Sequence, residues 1–381
     1  MASFLESIKK VFAGKHKGAL LGIDIGSSSI KIVLLAKTEE KVSLMNYGEV
    51  VLGPRAGVSA GQATNLPPEK IAEALSEILK EAGITPLHSF FSISFSASLL
   101  SVAELPDVGN KELESMVPIE ARRYIPVPIS EVSLDWWALP KRKKEAVPVV
   151  PVSPTVSAVE GSKQLGRVEV IIAAIHNDVL AKYDLIKRGA NIPPATSHFE
   201  IEIFSTLRAV VGRDLSPILV IDIGAGSTKL VLVDDGVVRG SHIVSMGGQD
   251  ITLALARSQG ISSSQAEEIK CRVGMVGEEE GRDVLAVAEI ILANIMNEAV
   301  RFVENYERKY ETNISKVILV GGGARLAGLE KIVAQKFPKA LVALGDPFAR
   351  VDTPAFLAPT LKELSPGFAV ALGIALKGLE E

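Results

Sequence analysis

The chain has 381 residues, 47% hydrophobic and 23% charged, with a formal net charge of −4. That is enough chain for two domains with cores of their own, and the near-neutral balance argues against a general nucleic-acid binder. A single cysteine, Cys271, excludes an internal disulfide and fits a reducing compartment; with no apolar run of transmembrane length and no visible signal peptide, a cytoplasmic protein is expected.

Residues 2–12 place Phe4, Leu5, Ile8, Val11 and Phe12 on one helical face, with Lys9, Lys10, Lys15 and Lys17 on or just after it. This N-terminal amphipathic segment, residues 1–18, reads either as a membrane-surface helix or as a tail docked on its own domain. Residues 20–35 and 42–52 read as strands, and residues 53–68 as a Gly/Pro-rich connection. Pro68 opens a helix over 69–82 that Gly83 stops. Residues 89–101 alternate as a serine-rich strand pair. A helix then ends near Tyr124, because Pro126 and Pro128 cannot continue it, and a strand with Trp136 and Trp137 follows. Residues 140–167, a basic run and then a Pro/Val/Ser stretch, are expected to form a flexible hairpin tip. A buried strand over 168–175, a helix over 177–189 and a strand around 195–199 lead to Glu200 and Glu202 at the start of the next helix. In the second half, residues 246–252 read as a tight turn into a helix, with backbone N–H groups of Gly247 and Gly248 free for phosphate. Val284, Ala288, Ile295, Ala299 and Tyr306 belong to a core stripe in a helical region over 252–310. A mostly apolar helix over 367–378 ends the pattern.

One motif occurs twice. Residues 21–35 read LGIDIGSSSIKIVLL and residues 219–233 read LVIDIGAGSTKLVLV, identical at nine of fifteen positions at a constant offset. Each copy is an apolar run, a small-residue turn and a second apolar run. That is a β-hairpin whose tip offers N–H groups and hydroxyls to an anion. One copy alone is an ordinary hairpin; two matched copies suggest tips closing on a polyphosphate from opposite sides. Asp24 and Asp222, at the ends of the first strands, could then organise Mg²⁺, mostly through water. The tips are Gly26, Ser27, Ser28, Ser29 and Lys31, and Gly224, Ala225, Gly226, Ser227 and Thr228. Lys31 is either part of its loop or a strand residue facing solvent. A strand running into Gly321, Gly322 and Gly323 reads as a simple turn or as backbone with room for a flat base against it. Glu267 and Lys270 share a helical face at i,i+3 spacing.

In this order these pieces resemble the actin-like ATPase superfamily. The fold class expected is therefore α/β: an actin-like two-domain fold of duplicated ribonuclease H-like domains, with a small inserted α+β module in the first domain. The resemblance implies ATP and Mg²⁺ as ligands, with Glu267 and Lys270 on the ribose side and Gly321, Gly322 and Gly323 at the base. The placement of the module, the stretch Tyr124-Ile125-Pro126-Val127-Pro128, and Gly247-Gly248 with Asp250 and Thr252 resemble the PilM family of type IV pilus assembly over about residues 19–378. The expected boundaries are 19–103 with 189–213 for the first actin-like subdomain and 104–188 for the module. The second subdomain takes 214–251 with 311–381, and its helical part 252–310.

Membership would imply an ATP-binding adaptor at the cytoplasmic face of the inner membrane. Such a protein binds the N-terminal cytoplasmic tail of PilN in a groove beside the module, and through the PilN/PilO alignment complex reaches pilus motor components. Two departures qualify it. Where the family tends to show Asp-x-Glu, near the attacking water of superfamily ATPases, this chain has Glu200-Ile201-Glu202. Glu200 is the candidate for positioning water, and its longer side chain makes at most slow turnover the expectation. The terminal Lys377-Gly378-Leu379-Glu380-Glu381 lacks the membrane helix of FtsA, which counts against a filament-forming FtsA-type ATPase. A sugar kinase needs a carboxylate base over a hydroxyl, for which no motif is seen.

Overall fold

The computed structural model describes residues 19–38, 41–86, 88–140, 166–193, 196–275 and 282–379. The expectations for residues 1–18 and for most of 140–167 fall outside these. The described chain divides into two compact units, one formed by residues up to Ala97 and from Asp178 onward, the other by Ser98–Asn177.

The larger unit holds two five-stranded sheets of one plan. The first is built from β1 (Ala19–Ile25), β2 (Ser29–Lys37), β3 (Val42–Val51), β4 (His88–Ile93) and β8 (Ser197–Ile201), in the order β3-β2-β1-β4-β8. The second is built from β9 (Ile218–Ile223), β10 (Thr228–Asp234), β11 (Val237–Val244), β12 (Lys316–Val320) and β13 (Leu341–Leu344), in the order β11-β10-β9-β12-β13. In both, the first three strands are an antiparallel meander and the other two join in parallel. Even the irregularity is copied: the register shifts between Leu34 and Leu35 and, at the matching place, between Leu232 and Val233. The central strands are buried on both faces, as near-continuous Ile/Leu/Val runs require. This is the duplicated plan of an actin-like fold.

Helices cover these sheets. α1 (Pro68–Glu81) starts at proline, which supplies a preset φ and lacks only an N–H that the first turn would leave unpaired. It buries Ile71, Leu75, Ile78 and Leu79, and Gly83 follows at φ 65°. α7 (Arg282–Tyr310) lays Ala288, Leu292, Ile295, Met296, Ala299, Val303 and Tyr306 into the core of the second half.

The helix α10 (Ala369–Lys377) corrects a boundary. The sequence assigns it to the second half, yet it packs on β1, β2 and β4 of the first sheet and on α4 (Glu202–Val210). The contact is so close that a Cβ on Gly373 would lie 1.8 Å from the Ser205 carbonyl oxygen. Asp352 likewise bridges to Ser43 at the edge of β3.

The smaller unit is a three-stranded sheet, β5 (Ser98–Pro106), β7 (Arg167–His176) and β6 (Val132–Ala138), in the order β5-β7-β6, all antiparallel. α2 (Asn110–Ala121) buries Leu113, Val117 and Ala121 against Val168, Val170 and Ile172. The serine-rich run over 89–101 is a pair of strands, but β4 and β5 belong to different sheets. The unit therefore begins at Ser98 rather than 104. It closes at Asn177 rather than 188, because the rest of α3 (Asn177–Gly189) packs Tyr183 edge-on to Phe91 and Phe199 in the first half.

Candidate functional site

Both hairpin tips are closed by the same bond. The Gly26 N–H donates to the Ser29 carbonyl at 3.0 Å, and the Gly224 N–H to the Ser227 carbonyl at 2.9 Å. The tips face one cavity of about 500 Å³, within the range of small-molecule sites. Asp24, Gly26, Ser27, Ser28, Ser29 and Lys31 line it from the first half. Asp222, Gly224, Ala225, Gly248, Glu267, Lys270, Gly321, Gly322 and Gly323 line it from the second.

The two aspartates sit at matched positions in different surroundings. Asp24 is buried and its Oδ1 accepts from Ser92 Oγ at 2.8 Å. Burial raises its pKa, and the lysines nearby and the serine only partly offset that. Beneath it the buried Tyr183 hydroxyl donates to the Ser92 carbonyl at 2.8 Å; burial, with Asp24 and Glu202 nearby, pushes that hydroxyl's pKa up. Asp222 is met by Lys229, whose Nζ lies 3.4 Å from Asp222 Oδ2 and 3.4 Å from Glu202 Oε1. Burial alone would lower the Lys229 pKa; Asp222, Glu202 and Asp24 outweigh it and hold it up. Lys31 is on the cavity wall, with Nζ 3.1 Å from Glu49 Oε1 and donating to Ser29 Oγ at 2.9 Å.

Glu200 is not at the cavity. β8 runs through Ile201, and the Glu200 side chain turns to Arg208, which donates from both terminal nitrogens at 2.7 and 2.8 Å. Ser205 donates to it at 2.6 Å, and Lys377 lies 3.5 Å away. Burial would raise its pKa, but the guanidinium overrides that and lowers it. The carboxylate that lines the cavity is Glu202, the first residue of α4, whose Oε1 accepts from the Phe95 N–H at 2.7 Å. Burial raises the Glu202 pKa against the pull of Lys229.

Four second-half positions also lie elsewhere than on the cavity wall, among them Ser227, whose carbonyl accepts the Gly224 N–H that closes the tip. Thr228 is buried and its hydroxyl donates to the Met246 carbonyl. Gly226 packs beside Ala63 and Gln249, and Gly247 lies under the tip, against the carbonyls of Gly224 and Ala225. The expected free N–H groups at α5 (Gly248–Gln259) are already used. Gly248 donates to the Gly224 carbonyl and Gln249 to the Ala225 carbonyl, both at 2.9 Å, while the Gly247 N–H donates to Asp250. The helix start buttresses the second tip instead of facing an anion.

Lys270, on α6 (Ser263–Val273), donates to Glu267 at 2.7 Å, to Thr252 Oγ1 at 2.9 Å and to the Gly248 carbonyl at 3.1 Å. Thr252 also donates to Glu267. This makes the pair a braced corner rather than a solvated ion pair. Gly321 has φ 86°, and a Cβ there would lie 2.3 Å from Asp222 Oδ1. Only glycine lets β12 turn beside that carboxylate. Nothing lies within 4 Å of a Cβ position at Gly322, so the flat ledge is there.

The connection over 53–68 also joins the site. Thr64 donates from its N–H and its hydroxyl to the Ser27 carbonyl, and the Ala63 N–H donates to Gln249 Oε1 at 2.9 Å. The segment thus ties the first tip to the helix under the second.

Among the described residues no group of three or more His, Cys, Asp or Glu is placed to hold a metal ion, and Asp222 already faces Lys229. Asp24, hydrogen-bonded to Ser92, fits an ion held through water; the pair Asp24 and Asp222 does not fit one held directly. Sequence reasoning missed Glu202, Lys229 and Ser92 as site groups. The signals were present, since Lys229 repeats Lys31 and Glu202 starts a helix after a strand end.

Known proteins resemble the chain along nearly its whole length. A family model described as type IV pilus assembly protein PilM matches residues 22–379. A solved structure, the PilM-PilN type IV pilus biogenesis complex, is similar with TM-score 0.75 and 27% identity over 95% of this chain and 99% of that one. The cell division protein FtsA of Bacillus subtilis (strain 168) is 21% identical over 267 residues, 67% of this chain. The match spans 58% of that curated relative's length. MreB 5 of Spiroplasma citri bound to AMPPNP shares the fold at TM-score 0.51 and 11% identity, over 96% of this chain and 97% of that one. Among the described residues no helix is long and apolar enough to cross a membrane.

Proposed function

This chain belongs to the type IV pilus assembly protein PilM family, and on that premise we propose that it is an ATP-binding adaptor of the pilus machinery. It works at the cytoplasmic face of the inner membrane and binds the N-terminal cytoplasmic tail of PilN, the partner named in the similar PilM-PilN complex. PilO and the pilus motor lie beyond that contact.

The observation that carries the nucleotide part is the single cavity onto which both hairpin tips, the Glu267–Lys270 corner and the glycine ledge open. In this reading the tips Gly26–Ser29 and Gly224–Ala225 take the phosphates through backbone N–H groups and hydroxyls. Glu267 and Lys270 take the ribose, and Gly321–Gly323 the base. Mg²⁺, held through water from Asp24, would neutralise phosphate charge. ATP then draws the halves together because both tips bind the same phosphates. It changes partner binding only as far as it prefers the closed form. Turnover is secondary, because Glu200 is committed to Arg208 and Glu202 to Lys229 and the Phe95 N–H.

The test is titration calorimetry with a synthetic peptide of the PilN tail from the same genome, with and without Mg·ATP. Binding near micromolar, about −8 kcal/mol, that changes with nucleotide is expected. No binding in either state would overturn the adaptor reading.

A further inference from the structure

The cavity holds an unequal set of charges. Three buried carboxylates, Asp24, Asp222 and Glu202, line the same cavity. The cation placed between two of them is Lys229. Its Nζ lies 3.4 Å from Asp222 Oδ2 and 3.4 and 3.5 Å from the two Glu202 oxygens. The side chains are 14%, 12% and 8% exposed respectively, so water screens this trio little. The twin residue Lys31 is drawn aside to Glu49.

A lysine serving only to fill the core would have no reason to sit on the cavity wall. Lys229, Asp222 and Glu202 all line it. Ammonium-to-carboxylate spacing of this kind also differs from what a divalent ion needs. Mg²⁺ takes oxygens at about 2.0–2.1 Å in a near-octahedron. A cation carried on a side chain reaches Asp222 and Glu202 without any ion from solution and cannot diffuse away. Glu202 is also fixed by the Phe95 N–H at 2.7 Å, so it does not turn freely toward another cation.

We propose that Lys229 is the resident cation of the second hairpin: it occupies Asp222 and Glu202, excludes a divalent ion from them, and presents its charge to the terminal phosphate. Two consequences follow. The nucleotide-free protein has no divalent-ion site at this pair. ATP, whose binding here rests on the function proposed above, takes most of its counter-charge from Lys229, since lysine is an effective point charge for phosphate, and Mg²⁺ on the Asp24 side adds the smaller share.

The experiment uses the full chain. Mn²⁺ is titrated into nucleotide-free protein and followed by electron paramagnetic resonance; ATP affinity is measured separately in Mg²⁺ and in EDTA. The variants are Lys229→Met, the polar neutral Lys229→Gln in case the methionine prevents folding, and Lys31→Met as the comparison. The wild type and Lys31→Met should take up no Mn²⁺, whereas loss of Lys229 should open a site. EDTA should change wild-type ATP affinity by less than about tenfold and that of the Lys229 variants by more. Mn²⁺ uptake by the wild type, or by none of the proteins, would overturn the proposal, as would loss of wild-type ATP binding in EDTA. If no protein binds ATP in either buffer, the nucleotide reading fails while the Mn²⁺ titration still decides the role of Lys229.

Discussion

The two hairpins share backbone, register and turn closure, yet they spend the same lysine differently. Lys31 lies across from Asp24 in β1 and Glu49 in β3; Lys229 lies across from Asp222 in β9 and Ile243 in β11. A glutamate beside Lys31 draws its ammonium to the sheet's outer strand. An isoleucine beside Lys229 offers nothing, so the ammonium turns inward to Asp222 and Glu202. The aspartates diverge by the same logic. Asp24 adjoins Ser92 in β4, which donates to it, while Asp222 adjoins Val320 in β12, which cannot. Duplication preserved the frame, and single cross-strand neighbours decided where the charge went.

The two hairpins should differ most at Lys229. Lys229→Ala leaves Asp222 and Glu202 buried without their counter-charge, and urea unfolding should show a loss of about 3–5 kcal/mol. Lys31→Ala should cost less, because the Glu49 side chain is 34% exposed and can take up water, and Asp24, which loses the charge of Lys31, keeps the Ser92 hydrogen bond and the charge of Lys229. Equal losses would mean the two lysines are not in different electrostatic situations.

A middle-sized effect is expected at Ser92→Ala, which removes the hydroxyl donor of Asp24 at a cost of about 1–3 kcal/mol at pH 7. Its pH dependence has a definite sign. The folded-state pKa of Asp24 is raised, chiefly by burial, so its charged form subtracts stability above that pKa and the penalty fades as pH falls. Ser92→Ala raises the pKa further. The gap between wild type and variant should therefore be widest at neutral pH and narrow as Asp24 protonates. A gap that widens toward acid pH would contradict the assignment.

The smallest effect should come from Glu49→Gln, about 0–1 kcal/mol, as for other partly exposed pairs. It removes the neighbour that sets Lys31 apart from Lys229. Adding Ile243→Glu gives Lys229 the partner that Lys31 has, and in the double variant Mn²⁺ uptake should move from absent to present.

Much of the frame was legible because it rests on local pattern. Two apolar–turn–apolar runs with matched Asp, Gly and Lys favour matched hairpins, and a strand into Gly321–Gly323 reads as a ledge once it follows them in this order. The errors lie where one residue of register or a distant partner decides. β8 continues two residues beyond its expected end, and strand alternation carries Glu200 to Arg208 while the helix start presents Glu202 to the cavity. The N–H group of Gly248 reads as free in the sequence because its acceptor, the Gly224 carbonyl, lies more than twenty residues earlier, in the tip itself. The module boundary at Ser98 was hidden because β4 and β5 alternate alike and differ only in the sheet they join.

The docking of α10 bears on how the protein is made. A Cβ on Gly22 would meet the Ala371 carbonyl oxygen at 2.2 Å, so β1 is sealed by a helix translated only after every strand of the second sheet. The first sheet must wait on the ribosome with that apolar face uncovered, or covered by something temporary. Long-range closure of this kind slows folding. A ribosome stalled before Ala369 should hold a chain whose second half is protease-resistant while the older first half is still cut.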